Sequence, residues 1–367
     1  MDEDAVLACL RLYLVRGIGP YIGNQLISYF GSAVSFWQAD AQAWQGQDGV
    51  GPKLIKMLQQ SNADTAHAMA ALCNKNNIHI LVRDDPAYPK LLQALDDAPL
   101  VLFLQGCSTA LENPWSLAVV GARKASKEGR IITRRWCEYF SGKKVMVISG
   151  MAYGIDTAAH GGALAGATPT VAVLGCGLAS LYPMQQRQTS AIIEHGGCVI
   201  SEYPPEQAAR PESFPQRNRI IAGLSTATLV MEADIASGSL ITARHAVRYS
   251  RDVFAVPGSV LNQTHAGCHQ LIREGASLAE SADDVLQALD WHQAASSMDK
   301  ELAMVTLMKQ CNAEEQNIIR ALQHEVLHLD QLAEACQSTI PALAPLLLGL
   351  EMQQIIESLP GSRYTLR

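Results

Sequence analysis

Aromatic and charged residues are both scarce in this 367-residue chain, at 6% and 17% of the sequence. The nine cysteines are scattered, and no two of them form a Cys-x-x-Cys pair. This spacing predicts neither a disulfide framework nor a zinc site, and it favours a reducing compartment. Because 48% of the residues are hydrophobic, the chain can still bury a sizeable core. We therefore expect a globular protein of two or three domains without a metal centre.

Signals for export and membrane insertion are also missing. The chain opens with MDEDAVLACLRLYLVRG, which is acidic where a secretory signal is basic, and Arg11 interrupts its apolar stretch. The longest run without Asp, Glu, Lys or Arg, residues 157–186, contains glycines, Pro169 and Pro183, unlike a membrane-spanning helix. The sequence predicts a cytoplasmic protein with no membrane span.

Charge is unevenly distributed along the chain. Residues 115–260 hold 15 Lys and Arg against 10 Asp and Glu, a net charge of +5 in a chain of net charge −7. Residues 1–114 carry −4 and residues 261–367 carry −8. The middle segment is thus suited to an anionic ligand, although a chance scatter of surface lysines would give the same count.

Two small domains are predicted on either side of a central one. Residues 1–75 show helical patterns broken at RGIGP and GVGP, turns that resemble those of helix-hairpin-helix or SAM-like domains. These turns either hold a DNA phosphate or only connect helices. Residues 291–302 are polar and predict a linker.

The last segment, residues 303–367, shows three helical patterns followed by a hairpin around a Pro-Gly pair. This order is typical of a small winged-helix domain. Its third helix either binds DNA, or the module binds a protein partner. The acidity of the segment favours the second interpretation.

Residues 76–290 alternate between apolar strands and helical patterns. Runs such as SLAVVG, VMVIS, TVAVLG and ATLVME lack polar alternation, and each leads into a glycine-rich or charged loop. The pattern predicts an α/β domain with a Rossmann-like, doubly wound, mainly parallel sheet and helices on both faces. Ligands of such sheets bind beyond the carboxyl ends of the strands, so these loops form the candidate site.

The loop GARKASKEGR follows the first central strand. It places Arg123, Lys124 and Ser126 directly before a predicted helix. Backbone N–H groups and the positive end of the helix dipole suit a phosphate at such a position. A tight turn with no ligand is the alternative interpretation.

The loop SGMAYGIDTAAH follows the second central strand. Gly150 and Gly154 permit close approach of another backbone or a ligand. Asp156 and His160 are interpreted as residues that organise the loop, because no Ser or Cys nucleophile with a partner accompanies them.

Two later segments supply further donors. FPQRNRIIAGLS places Arg217, Asn218 and Arg219 together after a Pro, where the arginines are either solvated surface or an anion site. EADIASGSLITAR offers hydroxyl and N–H donors for phosphate or sugar, with supporting charged side chains: Ser237, Gly238, Ser239, Glu232 and Arg244.

The segment GCGLAS resembles the start of a dinucleotide fingerprint. It lacks the third glycine, and no acidic residue follows at the ribose position unless Glu202 takes that role. We therefore expect no nicotinamide or flavin, and no other cofactor.

Taken in order and spacing, these segments resemble the DNA-processing protein A family, also called DprA or Smf. The resemblance spans residues 80–280, and FPQRNRIIAGLS and SGSLITA carry it most specifically. It departs from the usual pattern at Ser250, where glycine is usual, and in YPMQQRQ, which lacks the Asn commonly found after YP. These departures concern loop details.

The resemblance implies a cytoplasmic, non-enzymatic protein that binds incoming single-stranded DNA during natural transformation. It further implies homodimers, relief of single-strand-binding protein and loading of the RecA recombinase. The family's strand-binding positions match Arg123, Arg217 and Arg219, with the glycine-rich loops around them. Tyr153 and Phe214 are the aromatic candidates for contact with bases.

Two other functions remain open from the sequence. Related Rossmann-like folds include hydrolases that cleave nucleotides at the N-glycosidic bond, but they use a PGG-type loop with a catalytic Glu where this chain has SGSLIT. A purely structural adaptor would leave the arginines without a role.

Overall fold

The computed structural model describes residues 2–261, 263–291, 312–322, 326–353 and 355–366. The chain divides into two compact units, residues 1–289 and residues 290–367. Apart from Trp291, the predicted linker lies outside the described residues, so the predicted domain boundaries stay predictions. None of the helices in the described part of the chain is long and apolar enough to cross a membrane.

Helices dominate the start of the first unit. Two of them begin with a Gly-Pro step, in which proline occupies the first helical position and needs no N–H partner. The turns predicted at RGIGP and GVGP thus lie where these helices begin. The five helices are α1 (Glu3–Leu14), α2 (Pro20–Phe30), α3 (Ala33–Gln38), α4 (Pro52–Gln59) and α5 (Ala63–Lys75).

One large sheet follows, and most of its strands are fully buried. Its strands in chain order are β1 (His79–Val82), β2 (Val101–Gly106), β3 (Ser116–Val120), β4 (Met146–Ser149), β5 (Val171–Leu174), β6 (Cys198–Ser201), β7 (Ala227–Val230), β8 (Asp252–Ala255) and β9 (Ser277–Leu278). Among the described residues the spatial order is β1-β2-β6-β5-β4-β3-β7-β8-β9. In this spatial order, all neighbouring strands from β6 through β3 to β9 pair in parallel. The pairs β1 with β2 and β2 with β6 are antiparallel. The mainly parallel, doubly wound sheet is confirmed.

Helices connect the strands, as the alternating pattern predicts. They are α6 (Lys90–Gln93), α7 (Lys127–Gly142), α8 (Ile155–Ala163), α9 (Pro183–Glu194), α10 (Ser213–Gly223), α11 (Ser239–Arg248), α12 (Ala266–Arg273) and α13 (Ala282–Ala288), with short 3₁₀ turns at Ser108–Glu112 and Gln263–His265. The sequence predicts that α10 starts near residue 217, but the helix begins at Ser213. Pro215 lies in its first turn, where the missing N–H has no intrahelical acceptor to lose.

The two faces of the sheet belong to separate hydrophobic cores. Val101 and Phe103 of β2 pack with the N-terminal helices, whereas Leu102 and Leu104 pack with α10 and α11. Alternate residues of a strand point to opposite faces, so both faces are covered. The N-terminal helices therefore share a core with the sheet, and the Tyr13 hydroxyl adds a 2.8 Å hydrogen bond to the Glu202 carbonyl oxygen.

The second unit has the winged-helix arrangement that the sequence predicts. Its elements are α14 (Ala313–Ala321), β10 (Leu327–His328), α15 (Leu329–Ala335), α16 (Ile340–Met352), β11 (Ile356–Leu359) and β12 (Arg363–Leu366). The hairpin of β11 and β12 turns at Gly361, whose φ of 86° favours glycine. Leucines and isoleucines of the three helices form its core, and α16 contains no Lys or Arg.

Replacing Phe103 with alanine should lower the free energy of unfolding by about 3–5 kcal/mol, since the ring is fully buried against the N-terminal helices. Val247→Ala, on an exposed position of α11, is the control and should change stability by no more than about 0.5 kcal/mol. Chemical denaturation measures both. A Phe103→Ala protein as stable as the control would mean that the helices do not depend on this core.

Candidate functional site

A cleft of about 610 Å³ opens at the carboxyl edge of the sheet. The strand β4, which follows β3 in the chain, lies on one side of β3 in the sheet, and β7 lies on the other side. The direction in which successive strands are added therefore reverses between β3 and β7. Such a reversal separates the loops that follow the two strands and creates a crevice. Ten of the residues predicted from sequence line this cleft: Arg123, Lys124, Asp156, Phe214, Arg217, Asn218, Glu232, Ser237, Gly238 and Ser239.

Glu232 lies at the base of the cleft and is fully buried. Its carboxylate accepts hydrogen bonds from the Ser126 backbone N–H, at 3.0 and 3.2 Å, and from the Ser126 hydroxyl at 2.7 Å. Ser126 in turn caps α7 by accepting the Gly129 N–H at 2.9 Å. The Glu232 carbonyl oxygen also accepts the Ala122 N–H at 2.7 Å. Glu232 thus fixes the loop after β3 from both of its ends.

Gly154 brings the loop after β4 against the loop after β3. Its φ is 86°, and a Cβ there would clash with the Ala122 carbonyl oxygen and lie 2.6 Å from that of Arg123. No other residue type fits both the backbone angle and the space. The two glycine-rich loops are therefore packed backbone to backbone.

Arg217 is a buried cation on the wall of the cleft, with 3% of its surface exposed. Its Nη1 donates to the Gly150 carbonyl oxygen at 2.7 Å and to that of Val173, and its Nε donates to Asn218 Oδ1 at 3.2 Å. Its Nη2 has no acceptor among the described residues, and none of their carboxylates forms an ion pair with Arg217 within 4.0 Å. Burial lowers the pKa of Arg217, and the nearby Asp156 carboxyl opposes that fall. A guanidinium whose hydrogen bonds go only to neutral oxygens still lacks a contacting counter-ion, which a bound anion can supply.

Gly150 makes room for this guanidinium. A Cβ at position 150 would lie 2.6 Å from three atoms of the Arg217 guanidinium group. Gly150 does not line the cleft itself, so its contribution is to seat Arg217.

Asp156 and His160 lie behind Arg217 on α8. Burial raises the pKa of the Asp156 carboxyl, and the charge of Arg217 opposes that rise. Burial lowers the pKa of His160 to about 3, with Arg217 acting in the same direction, and His160 Nδ1 pairs with the Thr170 hydroxyl at 2.9 Å. A histidine that stays neutral at physiological pH and is fully buried does not serve as a general acid.

Arg123 and Lys124 project into solvent at the mouth of the cleft. The Arg123 guanidinium carbon lies 4.5 Å from the centre of the Phe214 ring. This cation–π contact orients the side chain and leaves its outer edge free for hydrogen bonds. The two residues form the accessible positive charge of the cleft.

The N-terminus of α11 forms the opposite wall. The Ser237 and Ser239 hydroxyls lie 2.8 Å apart, and Asn218 Nδ2 donates to the Gly238 carbonyl oxygen at 3.1 Å. A helix start with hydroxyl neighbours presents N–H and O–H donors together. This wall therefore adds neutral donors to the charged ones.

Arg219 does not line the cleft, although it is two residues from Arg217. Its guanidinium pairs with Glu202 and donates to the Asp97 carbonyl oxygen at 2.5 Å. Burial raises the pKa of Glu202, and Arg219 opposes that rise. Arg244 also lies outside the cleft, on the exposed side of α11. These two arginines have a structural and a surface position, respectively.

Several residues of the site had no sequence signal. Pro211 and Thr264 line the cleft and lie outside every segment singled out from the sequence. Asp234 and Thr242 also line it, and they lie within EADIASGSLITAR but were not selected from that segment. Within the part of the chain that is described, no three His, Cys, Asp or Glu side chains are grouped so that they could hold a metal ion.

Comparison with known proteins identifies relatives over most of the chain. Residues 79–290 match the model of the DNA recombination-mediator protein A family, and residues 309–362 match the DprA winged helix domain. Protein Smf of Synechocystis is 33% identical over 96% of both chains. The DNA processing protein DprA of Streptococcus pneumoniae is 43% identical over 56% of this chain and 73% of its own length.

Solved structures agree with these matches. The X-ray structure of DprA from Streptococcus pneumoniae is similar with a TM-score of 0.65 and 32% identity, covering 78% of this chain and 98% of that one. DNA processing protein A from Helicobacter pylori, described for its single-stranded DNA binding mode, is similar with a TM-score of 0.52 and 26% identity over 58% and 95% of the two chains.

Gly150→Ala should lower the free energy of unfolding by about 1–3 kcal/mol, because the new Cβ overlaps the buried Arg217 guanidinium. Gly161→Ala is the matched control, since a Cβ there meets nothing within 4 Å. A helix-interior alanine should stabilise by about 0.5–1 kcal/mol. Thermal or chemical unfolding distinguishes the two signs, and equal effects would contradict the seating of Arg217 on Gly150.

Arg219→Ala should lower the free energy of unfolding by about 3 kcal/mol, because Glu202 stays largely buried without its cation. Adding Glu202→Gln removes the remaining charge, so the double variant should recover most of that loss. Chemical denaturation of the single and double variants measures the coupling. A single variant with wild-type stability would show that the ion pair contributes nothing.

Proposed function

Because the chain belongs to the DNA recombination-mediator protein A family, also called DprA or Smf, we propose that it binds single-stranded DNA in the cleft between β3 and β7. The Helicobacter pylori relative, which is described for its single-stranded DNA binding mode, supports single-stranded DNA as the ligand. The strand is proposed to lie with its phosphates toward the cleft and its bases outward.

The observation that carries this proposal is the state of Arg217. Its charge is buried, its hydrogen-bond partners are neutral oxygens, and Nη2 is left without an acceptor among the described residues. Burying a charge without a contacting counter-ion costs free energy, and Asp156 offsets that cost only from beyond ion-pair distance. A phosphate oxygen in the cleft supplies both the acceptor and the countercharge, and so recovers that cost on binding.

The other proposed contacts follow the geometry of the cleft walls. Arg123 and Lys124 attract the strand from solvent, and Asn218 with the start of α11 donates neutral hydrogen bonds. Contacts of this kind bind the phosphate backbone of the DNA and do not depend on its base sequence. We assign direct contact to Arg123, Lys124, Arg217, Asn218, Ser237, Gly238 and Ser239, and positioning roles to Ser126, Gly150, Gly154, Arg219, Asp156 and Glu232. Arg244, which is exposed outside the cleft, is assigned neither role.

We further propose that the protein acts in natural transformation or homologous recombination in the cytoplasm. In this role it protects the incoming strand, relieves single-strand-binding protein, loads RecA and works as a homodimer. The name of the matched family, a recombination mediator, supports the step toward the recombinase.

Hydrolysis of an N-glycosidic bond is the less favoured function. A catalytic carboxylate must reach the substrate, whereas both oxygens of Glu232 accept hydrogen bonds from Ser126. His160 is buried and neutral, as described above. A binding module without turnover fits these contacts better than an enzyme does.

Arg123→Ala combined with Lys124→Ala should weaken binding of oligo-dT and of mixed-sequence oligonucleotides alike. If each side chain neutralises one phosphate, the slope of log K against log salt should fall in magnitude by about 1.4. Fluorescence anisotropy at several salt concentrations measures both quantities. The matched control is Arg134→Ala with Arg135→Ala, which removes the same charge from an exposed part of α7 outside the cleft.

An equal change of slope in both double variants would contradict a local site. Release of free base from nucleoside monophosphates by the wild type, lost in Glu232→Gln, would instead establish the hydrolase.

A further inference from the structure

Two tyrosines form an exposed pair at the same edge of the sheet as the cleft. Tyr153 lies in the loop after β4, and Tyr182 lies directly before α9, in the segment that follows β5. Their ring centres are 6.4 Å apart with an interplanar angle of 21°. The two side chains are 58% and 39% exposed. Two large rings are thus held nearly parallel in solvent.

Nothing in the fold accounts for this arrangement. Neither phenol hydroxyl forms a hydrogen bond with a described residue, although those of the buried Tyr88 and of the partly buried Tyr13 and Tyr203 all do. Aromatic residues make up only 6% of this sequence. Aromatic rings usually pack in a hydrophobic core, where their surface is removed from water. Here the rings contribute their faces to the surface.

The pair is continuous with the positive mouth of the cleft. Burial raises the pKa of Tyr182, and the charge of Arg123 is among the influences that oppose the rise. Gly154, next to Tyr153, lies against the Arg123 backbone. Arg123 in turn covers the Phe214 ring at the cleft. A ligand that reaches from the cleft past Arg123 therefore meets the tyrosines.

We infer that Tyr153 and Tyr182 form a stacking platform for the unpaired bases of the strand whose phosphates occupy the cleft. This inference rests on the proposed function. Every base has a flat π face, so stacking on tyrosine is tolerant of sequence. In a duplex those faces are covered by neighbouring base pairs, so the platform distinguishes single strands from double strands. The cleft supplies charge, and the platform supplies the preference for exposed bases.

The experiment compares two probes, oligo-dT and an abasic oligodeoxynucleotide of equal length, which keeps the phosphates and lacks the bases. Wild-type protein should bind oligo-dT more tightly. Tyr153→Ala with Tyr182→Ala should weaken oligo-dT binding by about tenfold or more and leave abasic binding and the salt slope unchanged. Tyr153→Phe with Tyr182→Phe keeps the rings and should bind like wild type. Tyr29→Ala, an equally exposed tyrosine on α2, should have no effect.

Other outcomes would overturn the inference. Unchanged oligo-dT binding by the alanine double variant would show that the tyrosines are not a stacking platform. If Arg123→Ala then weakened binding of both probes, the proposed function would still hold. An equal loss for both probes, accompanied by a smaller species in analytical ultracentrifugation, would assign the pair to a contact between two copies of the chain. Failure of wild-type protein to bind either probe would instead reject the proposed function itself.

Discussion

The cleft depends on one buried carboxylate. Glu232 follows the strand β7, and its two oxygens hold the backbone and hydroxyl of Ser126 in the loop after β3. This connection joins the two strands between which the sheet order reverses, and it sets the first turn of α7 through the Ser126 cap. Charge-assisted hydrogen bonds of this kind are short and directional. They fix the loop that carries Arg123 and Lys124, so the accessible charge of the cleft has a defined position before any ligand arrives.

The fold was largely predictable because its dominant signal is local. Buried parallel strands are apolar on both faces and therefore appear as short uninterrupted runs, and each of the runs from SLAVVG to ATLVME corresponds to a strand. The family matches and the solved relatives confirm the Rossmann-like sheet and the winged helix. The antiparallel pairing of β1 and β2 carries no comparable signal, since strand order at a sheet edge is decided by tertiary packing. The start of α10 was misplaced because a proline in a first turn does not end a helix.

The site was predictable as a set of loops, but not in the roles of its residues. Arg217 and Arg219 stand together in the sequence, yet residues two positions apart on a helix point to different sides. Arg217 therefore reaches the cleft, whereas Arg219 reaches Glu202 and Asp97. The helical periodicity of the sequence would have predicted that these two side chains point in different directions. The acceptors of Arg217 could not have been foreseen, because Gly150 and Val173 belong to segments that only the folded sheet brings to α10.

A protein with a net negative charge can bind an anionic strand because repulsion by its distant acidic residues and attraction by the arginines of the cleft act over different distances. At physiological ionic strength, charges in water are screened beyond about 8 Å, so an exposed acidic side chain farther than this from the cleft has little influence on a phosphate bound inside it. Arg217 acts at hydrogen-bond distance and is shielded from solvent, where screening is weak. The surplus of acidic residues elsewhere has its own consequence, since it discourages non-specific attachment of nucleic acid to the rest of the surface. In the proposed function, affinity for the strand is therefore concentrated at the edge of the sheet where buried charge, helix-start donors and exposed rings lie together.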